Sequence, residues 1–529
     1  MTRAHDRSSR NTQRGRHDDR QTGNDPCEVA MADCRGTDLP QDSSQLLAAC
    51  DRGDIEAVSS LLAQGVDVNQ KNHKGDFALF MAVEHGNLST AELLLNHGAN
   101  VDETSSRYIW YGWSALMTAS QNGHAAMAKL LLEHGASVNM QNKNGQSALM
   151  FSSHRGHTET AKLLLEHEAN VSMQEKNGWS ALMIASQHGH TETAELLLKY
   201  TANVNMQDEI GWVALMFACQ DGHSETAKLL LKYGANVDMQ DNNGWSALLF
   251  ASQDGHTKIA KLLFEHRANV NMQEKVNGWS ALMIASQDGH TETARLLLKH
   301  GANVYMQDRN GWSALMIASQ HGHTETAKVL LKHGENVNMQ NNNRWSALMI
   351  ASQNGHTETA KMLLEYGVNL SMQDESGLSA LMIANEKGHT EIVKLLLFNK
   401  ANANLQNNDG WTALMLASQY GYTKTAKHLL EYRADVNLCK NDGWTALTLA
   451  ELNHHTDTKK LLVEHGATEM VSKRKYFHKG TYTATGTCTD ESGYATGSGQ
   501  LTLGQHISPP EKGTCTLIMV HVSLITSCS

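Results

Sequence analysis

The chain has 529 residues, a net charge of −11, 29 histidines, 10 tryptophans and only 4 prolines. Acidic excess spread over both signs argues against nucleic acid as the main partner, because that binding needs a basic face. No run approaches the roughly eighteen apolar residues that span a bilayer. The eight cysteines show neither recurrence nor the close spacing of a zinc site, and scattered cysteines suit a reducing compartment.

Residues 1–42 are polar and contain Pro26 and Pro40; a disordered segment is expected there. Arg3, Arg7, Arg10, Arg14, Arg16 and Arg20 stand among polar residues, without the apolar run of a signal peptide. A cytoplasmic protein is expected. From about Ser43 a helical period begins with Leu46, Leu47, Ala48 and Ala49, then Ile55, Val58, Leu61 and Leu62. A second unit starts at Asp76, and four extra residues follow it within Glu103 to Trp113. Insertions in repeat arrays map to loops, often on the binding side. Tyr108, Trp110 and Tyr111 are therefore candidate partner anchors, since aromatics concentrate at interfaces; the alternative is that this loop packs on its own finger.

From Trp113 one phrase recurs, typified by residues 311–334. Trp312 has equivalents at Trp113, Gln146, Trp179, Trp212, Trp245, Trp279, Trp345, Leu378, Trp411 and Trp444, spaced by 33 residues except for one step of 34 where Val276 is inserted. A fixed period of this length means stacked repeats. Ser313 is expected to N-cap a first helix carrying Leu315, Met316, Ala318 and Ser319, and Gly322 to end it in the left-handed conformation. Thr324 is expected to cap a second helix, with Glu325 in its first turn, Ala327, Leu330 and Leu331 as its apolar stripe, and Gly334 at its close. Helices of about ten residues do not persist alone in water, so stability must come from neighbouring units. Glu168, Thr201, Arg267, Lys400 and Arg433 stand where the closing glycine belongs. Holding such a residue left-handed costs about 1 kcal/mol, so these junctions are expected to be softest. The unit of Trp444 drifts from the phrase, as a terminal cap would.

This pattern closely resembles the ankyrin repeat. The family's threonine-proline-leucine-histidine opening appears as Ser313-Ala314-Leu315-Met316, or as Thr412-Ala413-Leu414-Met415. Gly322-His323, the double leucine and Gly301-Ala302-Asn303-Val304 match directly. Thirteen units can be counted over about residues 43–470. The resemblance implies an all-α repeat solenoid of helix-turn-helix units with hairpin fingers. Two departures stand out: no proline occurs between Pro40 and Pro509, and methionine usually replaces the histidine of the opening. Met316 and its equivalents are expected to fill space between units as adaptable apolar side chains.

Residues 471–529 form a tail in which Thr481 to Thr485 alternate as a strand would. Gly497-Ser498-Gly499-Gln500-Leu501-Thr502-Leu503, followed by Pro509-Pro510, resembles the opening of the ZU5 β-domain over those few residues. A β-rich segment, an incomplete domain or a disordered one are the alternatives, since so short a stretch buries a marginal core.

Histidines such as His157, His190, His323 and His356 recur once per unit, which sets neighbours about 10 Å apart, too far for ligands that must share one metal. His157-Thr158-Glu159 lacks the cysteine pair of a zinc deaminase, and no phosphate-cradling loop exists. No catalytic residue, metal or cofactor is expected, and the protein is not expected to be an enzyme. In ankyrin-like stacks the fingers and first helices line one continuous concave face. Here it would carry Trp113, Trp179, Trp212, Trp245, Trp279, Trp312, Trp345 and Trp411. Beside them run Gln187, Gln220, Gln253, Gln287, Gln320 and Gln353, each followed by the variable column His188, Asp221, Asp254, Asp288, His321 and Asn354, with Tyr420 further on. The tryptophans either anchor a partner or pack the fingers. A monomeric scaffold or adaptor binding proteins along this face is expected; the alternative is an elastic spacer linking partners at its two ends.

Overall fold

Each 33-residue phrase folds into two short helices and a finger because its turn chemistry leaves few other choices. The computed structural model describes residues 41–72, 75–106 and 112–468, and in them twenty-six helices alternate in thirteen pairs, from Gln41–Arg52 to Thr456–Glu464. The residues 1–40 and 469–529, and with them the expected disordered segment and the tail, lie outside the described residues, as does the loop holding Tyr108, Trp110 and Tyr111.

In the unit of Trp312 the first helix spans Ala314–His321 and the second Thr324–Lys332. Ser313 is extended, and its hydroxyl accepts from the Met316 N–H at 3.3 Å, satisfying one of the free amides of the first turn. Gly322 closes that helix at φ 74, where a side chain would be strained. The second helix departs from expectation. Thr324 does not cap it: the residue in the cap place is His323, which makes no side-chain cap bond. The turn between the helices is only Gly322-His323, so Thr324 is already the first helical residue, and its hydroxyl turns outward to meet Thr359 Oγ1 of the next unit at 2.8 Å. Glu168, Thr201, Arg267, Lys400 and Arg433 do hold positive φ, between 63 and 67. Arg344 shares that strain at φ 61 where other fingers have glycine.

Fingers form around an Asx turn. Asp308 Oδ1 accepts from the amides of Asn310 (2.8 Å) and Trp312 (2.7 Å). Bridges such as Gln340 to Ser346 then tie the two arms.

First helices pack on first helices and second on second, all along the array. One apolar cluster runs from Leu46 to Leu462. In the unit of Trp312, Ala314, Leu315, Met316, Ile317 and Ala318 are all buried, and so are Ala327, Leu330 and Leu331. Burying one such leucine contributes about 2 kcal/mol, which offsets the ordering of helices too short to stand alone. The methionines do more than fill space. Met117, Met150, Met183 and Met283 turn Sδ back to the N-cap serine and accept its backbone N–H at 3.4–3.5 Å. A thioether thus takes up an amide that would otherwise be buried without an acceptor.

Candidate recognition surface

Polar residues of the phrase are used mainly between units. Most Gly-His histidines reach across one junction: His223 Nε2 donates to Gln187 O at 2.9 Å, His290 to Gln253 O at 2.9 Å, His356 to Gln320 O at 2.9 Å, and His389 to Gln353 O at 3.1 Å. These carbonyls end the first helix, where four acceptors lack helical partners. Because a carbonyl only accepts, these rings carry their proton on Nε2. In the fingers a second ladder runs through glutamine amides. Gln307 Nε2 donates to Gly311 O within its own finger (2.6 Å) and to Gln340 O of the next (3.2 Å), and Gln406 does the same with Gly410 O and Cys439 O. A third ladder joins threonine hydroxyls, Thr191 to Thr226 and Thr291 to Thr326, each at 2.8 Å.

The tryptophan column divides. Trp113 and Trp212 are buried, 8% and 5% exposed, and offer little surface to a partner. Trp212 Nε1 donates to Asp241 of the next finger at 3.2 Å, and its ring lies 4.4 Å from Phe250. Trp179 meets Phe217 edge-on at 4.6 Å. Trp279 Nε1 donates to Asp308 at 3.3 Å, although the indole is only half-buried. Trp179, Trp245, Trp312, Trp345 and Trp411 are half-buried too and pack partly on the core. Lys440 covers the Trp411 ring with its ammonium 4.3 Å from the centroid, a cation–π contact.

Gln187, Gln220, Gln253, Gln287, Gln320 and Gln353 are half-buried, with their carbonyls engaged by the next unit's histidine. The residues just after them differ. His188, Asp221, Asp254, Asp288, His321, Asn354 and Tyr420 are exposed, at the ends of successive first helices. Their register brings like groups together. His154 and His188 meet edge-on at 4.5 Å, and His188 lies 6.0 Å from His190. Although His188 keeps part of its surface exposed, the burial of the rest pushes it down to about 4, and the charges of His154, His190, His223 and Arg155 act in the same direction. Burial also raises the Asp288 carboxyl, with Asp254 adding to it against the opposing pull of His290 and His323. The inter-unit ladders were not legible in advance, since their partners lie 33 to 37 residues apart; the strict recurrence of Gln, His and Thr is the one signal that could have found them. Among the described residues no group of three or more His, Cys, Asp or Glu side chains is placed to hold a metal ion, and no helix is long and apolar enough to cross a membrane.

A helical array with hairpin fingers and one fixed period defines a stacked-repeat protein. The family described as ankyrin repeats (3 copies) matches residues 46–142, 135–208, 201–274, 267–341, 333–407 and 381–473, and the chain belongs to it. The chain is also 38% identical over 66 residues to potassium channel AKT1 of Oryza sativa subsp. indica and, equally, of subsp. japonica. That likeness covers 12% of this chain and 7% of the channels' length. Ankyrin repeats are protein–protein interaction modules.

Proposed function

We propose that this protein is a scaffold or adaptor that holds a protein partner along the face formed by the fingers and the ends of the first helices. The observation that carries the reading is the column from Asn122 to Tyr420. Within a frame whose Gln, His and Thr ladders repeat almost unchanged, this position alternates between Asn122, Arg155, His188, three aspartates (Asp221, Asp254, Asp288), His321, Asn354, Lys387 and Tyr420. Nearly all of these side chains are exposed. Affinity would come from groups bridging several units, and partner choice from the order of charges along the column. Half-buried indoles such as Trp312 and Trp345 would supply flat contact beside it. Cys50, Cys219 and Cys439 are free thiols, and we place the protein in the cytoplasm, where such thiols persist.

Affinity capture from a cell lysate tests this. The full chain and a variant carrying Asp221→Ala, Asp254→Ala and Asp288→Ala are compared, with thermal melts of both. A partner held by the parent and lost by a variant that melts alike supports the column as the contact surface. If the same partner stays bound to the variant, and to one with His188→Ala and His321→Ala added, the reading fails and a spacer between end-bound partners takes its place.

A further inference from the structure

A second surface lies at the other end of the helix pairs. Second helices run back from the two-residue turn, so their last residues sit away from the variable column. From Glu133 to Glu365 that last position holds only Glu or Lys. In the helix Thr390–Phe398 it holds Phe398, which is 75% exposed, the most exposed large apolar side chain among the described residues. Beside it opens a groove of about 630 Å³ lined by Phe398, Lys400, Asn402, Asn404, Tyr432 and Arg433 among others.

The two cations are placed at a conformational cost. Lys400 and Arg433 occupy the closing-glycine position of successive units at φ 67 and 63. Where that position is glycine, as in Gly234, Gly301 and Gly367, an added Cβ would meet nothing within 4 Å. A Cβ at that position touches nothing in the array, and the Lys400 and Arg433 side chains are exposed. The acids two residues either side of Arg433 have other partners: Glu431 pairs with His428 at 3.1 Å, and Asp435 Oδ1 accepts from Asn437 N at 2.9 Å. Among the described residues neither Lys400 nor Arg433 enters an ion pair.

We infer that this groove docks a short acidic segment of a partner protein that carries one large apolar side chain. The apolar group would rest on Phe398 and Tyr432, which is 44% exposed, while its flanking carboxylates meet Lys400 and Arg433. A volume of this size suits an inserted side chain with its backbone, and a flat lipid surface would leave it unfilled. This site is separate from the first-helix column and stands or falls without it.

The test is selection from a random library of short displayed peptides on the full chain, counter-selected on a variant with Phe398→Lys, Lys400→Gly and Arg433→Gly. Each change installs what other units already hold, as in Lys332 and Gly334, so the variant is expected to melt no earlier than the parent. Enriched peptides should be acidic with a single aromatic or long aliphatic residue. They should bind the variant about tenfold or more weakly by fluorescence anisotropy, and bind the Asp221→Ala, Asp254→Ala, Asp288→Ala variant as well as the parent. Peptides without acidic bias, or binding both proteins alike, would overturn the inference. So would failure to enrich peptides while anionic phosphatidylserine vesicles bind the parent and release the variant, which would assign the groove to a lipid surface.

Discussion

His323 donates from Nε2 to the carbonyl oxygen of Gln287, 3.0 Å away across a unit junction, and its ring covers Gly289. A Cβ on Gly289 would stand 2.5 Å from His323 Nδ1, at a residue already held at φ 72. The glycine and the next unit's histidine therefore specify one another.

His323→Ala should cost about 1–2 kcal/mol, by leaving the Gln287 carbonyl without its partner. Gly289→Ala should cost more than its left-handed strain of about 1 kcal/mol, because the new methyl displaces the imidazole. In the double variant the clash is gone, so the two changes together should cost less than their sum. Urea unfolding of the four proteins of this cycle measures it, and strict additivity would refute the mutual fit.

Glu335 stands where neighbouring units place Ala302 or Val368, and it is 5% exposed. Burial pushes its carboxyl from the ordinary 4.5 up to about 7, against the opposing help of Ser313 and of the Leu315 N–H, 3.1 Å from Oε1. A folded-state value above the unfolded one means that the folded protein binds the extra proton between these limits. Stability is then fully present below pH 4.5 and lost as pH rises through about 7. The loss at pH 8 is about 3 kcal/mol. Glu335→Ala should raise the melting temperature at pH 8, with the advantage shrinking as pH falls. Melts of both proteins across this pH range check it.

Trp212→Ala should destabilise by about 3–5 kcal/mol, the cost of emptying a buried aromatic site, and it also removes the indole donor from Asp241 Oδ2. Trp345→Ala, removing a half-buried indole, should cost clearly less. Circular-dichroism melts separate the two; equal losses would show that exposure does not rank these indoles.

Glu168→Gly and Thr201→Gly should each stabilise by about 1 kcal/mol, by relieving residues held at φ 65. Hydrogen exchange should show the gain first in the amides flanking each junction. Unchanged protection there would mean that these junctions are not soft points.

Much of the fold was legible in the residues themselves. The period, the Ser313 cap, the left-handed Gly322 and the positive φ of Thr201 or Arg433 follow from preferences encoded within about ten residues, which hold wherever the segment lies. The apolar stripe of Ala327, Leu330 and Leu331 was equally plain, since burial follows helical spacing. What stacking decided is different in kind. That Thr324 pairs with Thr359 instead of capping its helix, that His323 reaches Gln287, and that Trp212 is buried against Phe250 while Trp345 keeps a solvent edge all depend on which residues a neighbouring unit presents. The open groove at Phe398 depends on the same thing. Those partners lie 29 or more residues away, at distances that only the packing of one unit on the next can set.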